Sequence, residues 1–124
     1  MKAIETDKAP KAVGAYSQAI EANQFLFVSG QLPLDPLTMQ ASTDIKIQTR
    51  QALDNILAIV HASGLKKHDI VRCGVFMTDL SQFAEMNAVY AEFFGNHKPA
   101  RAAVQVSRLP KDVMIEIDAI AVRS

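Results

Sequence analysis

Residues 113–122 constrain the fold more than any other segment, because apolar residues recur at every second position. Successive side chains of a β-strand point to opposite faces of the sheet, so this pattern predicts a strand with one buried face. That face carries Val113, Ile115, Ile117, Ala119 and Ala121. The opposite face carries Met114, Glu116, Asp118, Ile120 and Val122. Glu116 is therefore a carboxylate in a segment otherwise suited to burial.

The segments before residue 65 predict a hairpin followed by a long helix. Short strands at 18–22 and 25–30 flank Asn23-Gln24, a pair that indicates a hairpin turn. Ser42-Thr43-Asp44 supplies N-cap residues for the helix, and Gly64 is a natural C-terminal stop. One buried stripe of this helix carries Leu53, Ile56, Leu57 and Val60 at helical spacing.

The remaining segments complete a predicted order of β-β-α-β-α-β-β. Residues 70–77 and 101–107 are strand-like, and Asp79 is a cap residue for a second helix. The apolar face of that helix carries Phe83, Met86, Tyr90 and Phe94, with the amide of Asn87 among them. This order predicts one α+β domain over residues 1–124, a single sheet with two helices covering one face. Another subunit is the simplest cover for the other face.

Arg101, in Pro99-Ala100-Arg101, precedes Glu116 by fifteen residues, and both lie in segments otherwise fit for burial. Charges in such segments indicate an ion pair or a bound ligand. Arginine offers a planar fork of donors that matches a carboxylate, and glutamate offers a proton acceptor. Together they predict a pocket that binds a small acid and carries out proton chemistry on it. A purely structural ion pair between them, within a chain or across an interface, is the alternative.

The charge balance argues against polyanionic partners. The chain has 13 basic and 13 acidic residues and a pI near 6.8, which favours neither nucleic acid nor an anionic membrane. No segment is long and apolar enough to span a bilayer, and the first seven residues lack the apolar core of a signal peptide.

With one cysteine, Cys73, no internal disulfide can form, which is typical of a reducing compartment. We expect a cytoplasmic protein.

The residues that commonly bind metals or cofactors do not have the spacing of such a site in this sequence. His61, His68 and His97 are scattered without metal-ligand spacing, and no phosphate-binding glycine loop is present. Cys73 lies in a strand without a neighbouring signal for activation, so a small buried residue is the default interpretation. We therefore expect neither a metal nor a cofactor.

Eight short motifs lie along nearly the whole chain in an order and spacing that resemble the Rid (YjgF-type) family, and within it the imine deaminases. They are Ala9-Pro10, Gly14-Ala15-Tyr16-Ser17-Gln18, Ser29-Gly30-Gln31-Leu32-Pro33, Leu53-Asp54-Asn55-Ile56, Val75-Phe76-Met77-Thr78-Asp79-Leu80, Asn87-Ala88-Val89-Tyr90, Pro99-Ala100-Arg101 leading to Arg108-Leu109-Pro110-Lys111-Asp112, and Ile115-Glu116-Ile117. Each motif alone is weak, whereas the set is specific.

The resemblance implies a chorismate-mutase-like α+β fold assembled as a homotrimer, with the sheets facing inward in a barrel-like core and clefts between subunits. It also implies hydrolysis of short 2-imino acids, 2-iminopropanoate and 2-iminobutanoate, to 2-oxo acids and ammonia without a cofactor. Those imines derive from enamines released by pyridoxal-phosphate-dependent dehydratases. The partners implied are these small acids and further copies of the chain.

The resemblance also implies site residues. Arg101 binds the substrate carboxylate with help from the backbone at Ala103, and Glu116 orients or activates water. The residues that line the cleft are Tyr16, Ser29, Gly30 and Asn87. From the residues alone, structural roles are favoured over a site for both: a core tyrosine with a satisfied hydroxyl at Tyr16, and a helix-capping or backbone-bonding amide at Asn87. The Ser29-Gly30 pair alone suits either a strand end or a close backbone approach.

Two positions depart from the family pattern. Ala15 stands where proline is common, which loosens the segment that places Tyr16. Ala103 stands where this subgroup usually has cysteine, so deaminase activity requires a mechanism without a thiol at that position.

Three other functions remain open at this point. A non-catalytic, carboxylate-binding regulatory trimer would use the same cleft, although such a sensor needs only the arginine. Chorismate mutase activity usually requires several cationic groups, of which only Arg101 is evident. A role on nucleic acid lacks a basic patch.

Overall fold

The computed structural model describes all 124 residues and contains six strands and two α-helices. The strands are β1 (Lys2–Ile4), β2 (Ala19–Ala22), β3 (Phe25–Gln31), β4 (Ile70–Met77), β5 (Ala100–Gln105) and β6 (Ile115–Val122). The helices are α1 (Ile45–Ala62) and α2 (Phe83–Phe94), and short 3-10 turns lie at Lys67–Asp69, Leu80–Gln82 and Pro110–Asp112.

The strands form one mixed sheet in the order β1-β2-β3-β6-β4-β5. Only the β4–β5 pair is parallel, and the other neighbours are antiparallel. The helices supply the buried residues that pack with one sheet face, so the predicted α+β architecture is confirmed. Because β5 pairs only with β4, its other side is a free edge of the sheet.

Local sequence signals account for the main turns and caps. Asn23 and Gln24 form the hairpin turn with φ values of 49° and 71°, the left-handed conformation that two-residue hairpin turns need. The Asp44 carboxylate caps α1 by accepting the Ile47 N–H at 3.0 Å. Gly64 follows α1 at a φ of 83°, as expected for a C-terminal stop.

One strand was missed, and three predicted boundaries were wrong. Strand β1 was not predicted, because its three residues have no pattern of their own and pair only with β2. The strand predicted at 101–107 ends at Gln105, and the one at 113–122 begins at Ile115, since the turn at Pro110–Asp112 occupies the connection. Asp79 caps the 3-10 turn before α2 by accepting the Ser81 N–H at 2.9 Å, whereas α2 itself begins at Phe83 without a side-chain cap.

Alternation along β6 divides its residues between two environments. Ile115, Ile117, Ala119 and Ala121 are buried beneath the helices, and Glu116, Asp118, Ile120 and Val122 lie half-buried on the opposite face. The helix-free face also carries the exposed rings of Phe25 and Phe27, which stack at 5.9 Å between centroids. One face of the sheet is therefore an ordinary core, and the other is an uncovered apolar surface.

Two buried amides on α1 fix the loops beside the helix-free face. The Asn55 amide donates to the carbonyls of Leu32 and Leu34 at 3.0 and 2.9 Å. Gln48 accepts the Met114 N–H at 2.8 Å, immediately before β6 begins. Buried polar groups need such partners, so both amides hold their loops in register with the sheet. Neither helix is long and apolar enough to cross a membrane.

Candidate functional site

The Glu116 side chain lines a cavity of about 370 Å³ on the helix-free side of the sheet. The walls combine a tyrosine, two lysines and several apolar side chains, among them Lys11, Val13, Tyr16, Leu34, Met39 and Lys111. The Glu116 carboxylate takes part in none of the four ion pairs of the chain. It is thus a half-buried acid that forms no ion pair within its own chain, although Lys11 and Lys111 line the same cavity.

The absence of a side chain at Gly30 makes room for this carboxylate. A Cβ at residue 30 would lie 2.9 Å from the Glu116 carboxyl carbon and closer still to Oε2, nearer than such atoms can approach. The backbone of Gly30 has no positive φ, so a side chain here would displace the Glu116 carboxylate rather than strain the backbone. The Ser29-Gly30 pair therefore provides a close backbone approach.

Burial raises the pKa of the Glu116 carboxyl above its ordinary value, and the negative charge of Asp118 raises it further. A carboxylate with a raised pKa is a stronger base than an exposed glutamate, and its acid form persists to higher pH. Glu116 is consequently suited to accept and return a proton.

Tyr16 and Ser29 belong to segments that are joined by hydrogen bonds, but their side chains make different contacts. The Tyr16 ring, half exposed, lines the Glu116 cavity. The Ser29 hydroxyl donates to the Ser17 carbonyl at 2.6 Å and so fastens the Tyr16 segment to β3. The Ser29 N–H also donates to the Gln18 carbonyl at 2.9 Å.

The connection before β6 is a strained element that the sequence alone does not reveal. Lys111 and Asp112 have φ values of 58° and 55°, a conformation that costs free energy for residues other than glycine. The Arg108 guanidinium donates two hydrogen bonds, of 2.6 and 3.1 Å, to the Asp112 carboxylate, and these bonds stabilise the turn. The turn carries Lys111 into the wall of the Glu116 cavity.

Arg101 lies elsewhere, on β5 and against α2. Its Nη1 donates to the Asn87 side-chain oxygen at 2.7 Å. The two residues line a second hollow, of about 460 Å³, together with His97 and Lys98. The structure thus brings Arg101 together with Asn87 but not with Glu116.

The sheet explains why the predicted site divides into two groups. Arg101 is the register partner of Cys73, whose side chain is buried on the helix face, whereas Glu116 pairs with Phe76 on the opposite face. Cys73 and Phe76 are three positions apart on β4, so their side chains point to opposite faces of the sheet. Their partners Arg101 and Glu116 therefore also lie on opposite faces and do not meet within one chain. An ion pair between these two residues within a chain is therefore excluded.

Ala103 lies two residues beyond Arg101 on the free edge of the sheet. The Val106 N–H donates inward to the Met77 carbonyl of β4 at 2.8 Å. Backbone groups alternate in direction along a strand, so the N–H of Ala103 points away from β4, toward the open edge. This donor and the Arg101 side chain are both available to a bound anion.

Cys73 does not replace the cysteine missing at residue 103. Its side chain is fully buried, as predicted, and burial raises the pKa of its thiol to about 11. A thiol that stays protonated at neutral pH is a poor nucleophile. No group of three or more histidine, cysteine or acidic residues is placed to hold a metal ion.

Comparison with known proteins gives consistent matches over nearly the full chain. The family model described as endoribonuclease L-PSP matches residues 6–123. A RutC family protein of Pyrococcus horikoshii is 57% identical over 119 residues, which are 95% of this chain and 94% of that protein. A 2-iminobutanoate/2-iminopropanoate deaminase of Escherichia coli is 50% identical over 98% of both chains. The crystal structure of E. coli TdcF with bound serine is similar with a TM-score of 0.97 and 49% identity, covering all of both chains.

We expect Gly30→Ala to lower the free energy of unfolding by about 1–3 kcal/mol, because the new methyl group collides with the Glu116 carboxylate. In a Glu116→Ala background the colliding atoms are gone, so the same substitution should cost much less. Urea unfolding of the four proteins, at one chain concentration, measures this coupling. An equal loss in both backgrounds would show that Gly30 is required for another reason.

Proposed function

The chain belongs to the endoribonuclease L-PSP family, also known as the Rid or YjgF family, and we propose that it is an imine deaminase. It hydrolyses short 2-imino acids, 2-iminopropanoate and 2-iminobutanoate, to the 2-oxo acids and ammonia. Relatives about 50% identical over nearly their whole length carry the name of this activity. The observation that carries the proposal is the half-buried, unpaired Glu116 carboxylate with a raised pKa.

In this proposal Arg101 binds the substrate carboxylate. Its guanidinium is solvent-exposed on one side and held on the other by Asn87, so donors remain for a bidentate contact. The outward N–H of Ala103 offers one more donor at the same edge, and an alanine supplies it as well as a cysteine. The carboxylate of the substrate is thereby fixed, which places its C2 atom at a set distance from the base.

Glu116 acts as the general base and acid. It takes a proton from water as the water oxygen bonds to C2 of the protonated imine, which gives a neutral carbinolamine. The protonated Glu116 then gives that proton to the nitrogen. The C–N bond breaks and its electron pair stays with nitrogen, so ammonia leaves while the hydroxyl oxygen forms the 2-oxo group. Glu116 takes the hydroxyl proton and passes it to solvent or to the ammonia, which regenerates the carboxylate. Water is thus the only nucleophile, and the reaction needs no thiol.

Each cleft is completed by two chains of a homotrimer. Arg101 and Glu116 of one chain lie on opposite faces of the sheet, so a cleft with both residues requires a neighbour. The helix-free face supports such assembly, because the large apolar side chains of Phe25, Phe27 and Val104 on it are 42, 46 and 44% exposed. Tyr16, Ser29 and Gly30 accompany Glu116 on one wall, and Asn87 and Ala103 accompany Arg101 on the other.

The enamines that tautomerise to these imines come from pyridoxal-phosphate-dependent dehydratases acting on serine and threonine. We propose a cytoplasmic location for the reaction, and the single cysteine supports it, because Cys73 is free and no internal disulfide can form. An RNA substrate is not favoured, since 13 basic residues face 13 acidic ones. A purely regulatory carboxylate-binding role would not need a base at Glu116, and that residue favours the enzyme.

We expect Glu116→Gln to lower kcat about 10²-fold or more, the usual scale for a general acid–base group. The assay couples a threonine dehydratase to the protein and follows 2-oxobutanoate release. For the natural protein, kcat/KM should fall as the pH drops through the raised pKa of Glu116, because protonation removes the base. The same raised pKa means that ionised Glu116 destabilises the fold above that pH, so Glu116→Gln should keep or raise stability at neutral pH.

The matched control for this assay is Ala103→Cys, which should change kcat only a few-fold because water remains the nucleophile. A natural protein without activity that Ala103→Cys activates would establish a thiol mechanism. A natural protein that stays inert in both forms would support the regulatory alternative.

We expect sedimentation equilibrium to give about three times the 13.6 kDa mass of the chain at micromolar concentration. Phe27→Glu should yield folded, inactive monomers, because it buries charge in the subunit interface. The control is Ile47→Glu, which changes an exposed apolar residue in the first turn of α1 and should remain trimeric. A natural protein that sediments as a stable monomer would contradict the two-chain cleft.

A further inference from the structure

Three side chains from one face of α2 surround the Arg101 guanidinium. The Asn87 side-chain oxygen accepts its Nη1–H at 2.7 Å. The guanidinium carbon lies 4.7 Å from the centroid of the Tyr90 ring and 5.3 Å from that of Phe83. Residues 83, 87 and 90 are spaced four and three apart, so they occupy one stripe of the helix, and that stripe faces Arg101.

We propose that Phe83, Asn87 and Tyr90 form a clamp that sets the plane and direction of the Arg101 guanidinium, so that its free N–H groups meet the substrate carboxylate. This proposal rests on the proposed function, in which Arg101 binds that carboxylate. The three clamp residues are positioning residues, since they act through Arg101.

The chemistry of each clamp residue suits this task. The aromatic rings attract the cation without donating or accepting a hydrogen bond, so they restrain its plane without occupying its donors. Asn87 takes one N–H of the five that a guanidinium offers and leaves the positive charge intact. An aspartate at residue 87 would instead form an ion pair with Arg101 and compete with the substrate.

The Tyr90 ring is itself held rigidly. Tyr90 is only 7% exposed, and its ring packs against Phe94 at 4.9 Å between centroids. Its hydroxyl is buried beside the Cys73 thiol, and burial, followed by that thiol, raises the pKa of the phenol above its ordinary range. The hydroxyl therefore has no role in reaching the substrate, and the ring is the part of Tyr90 that the clamp uses.

The central experiment compares Tyr90→Leu with Tyr90→Phe. Tyr90→Leu removes the ring and should raise KM for 2-iminobutanoate, and the Kd of its product 2-oxobutanoate, by about tenfold with a much smaller change in kcat. Tyr90→Phe keeps the ring and should recover most of that loss. Asn87→Asp should raise KM at least as much as Tyr90→Leu, because the new carboxylate neutralises Arg101.

Phe93→Leu is the control for loss of a buried ring on α2, since the Phe93 ring contacts Lys67 and Arg50 and not Arg101. It should lower stability without the change in KM. A readout independent of turnover is rotation about the Arg101 Nε–Cζ bond, followed by nitrogen NMR. That rotation should be slow in the natural protein and in Tyr90→Phe, and fast in Tyr90→Leu.

The outcomes separate this proposal from the proposed function. A protein that binds 2-oxobutanoate through a slowly rotating Arg101 but hydrolyses no imine would contradict only the deaminase activity. The clamp would be overturned if Tyr90→Leu and Asn87→Asp left KM, Kd and the rotation rate as in the natural protein or in Phe93→Leu. It would also be overturned if the natural protein bound no 2-oxobutanoate.

Discussion

The alternation of side chains in the sheet determines how this protein can build a site. Arg101 pairs with Cys73 and shares its side of the sheet, the helix face. Glu116 pairs with Phe76 and shares the helix-free face. The sheet thus separates the proposed anion-binding group from the proposed base, and the two residues form no ion pair within one chain. The proposed cleft between two chains follows from this geometric constraint, and the uncovered apolar face offers a surface on which the chains can assemble.

The two walls of the proposed cleft differ in the exposure of their charged groups. The guanidinium of Arg101 stays exposed and is directed by side-chain contacts, so its charge is available to an acid from solution. The carboxylate of Glu116 is half-buried, and the missing Cβ of Gly30 gives it space while desolvation and Asp118 raise its pKa. In the proposed function, one wall serves recognition and the other serves proton transfer, as differential stabilisation of a reaction requires.

The sequence predicts those parts of the structure that local patterns determine. The alternation of β6, the stripe of α1 and the caps at Asp44 and Gly64 suffice for the α+β architecture. Strand β1 escapes prediction because only its partner defines it, and the strained Lys111 and Asp112 escape because neither is a glycine. The resemblance identifies candidate site residues, but their separation into two groups depends on sheet order, which no local pattern records. The contacts of Arg101 with Phe83, Asn87 and Tyr90, on which the proposed clamp rests, cannot be predicted for the same reason.

Mixing two inactive proteins tests the two-chain cleft most directly. Arg101→Ala supplies an intact Glu116, and Glu116→Gln supplies an intact Arg101. If each cleft takes these residues from different chains, trimers reassembled from an equal mixture should recover about a quarter of the natural activity, since one cleft in four receives both intact residues. Recovery of no activity, from mixed trimers verified by mass spectrometry, would contradict this account.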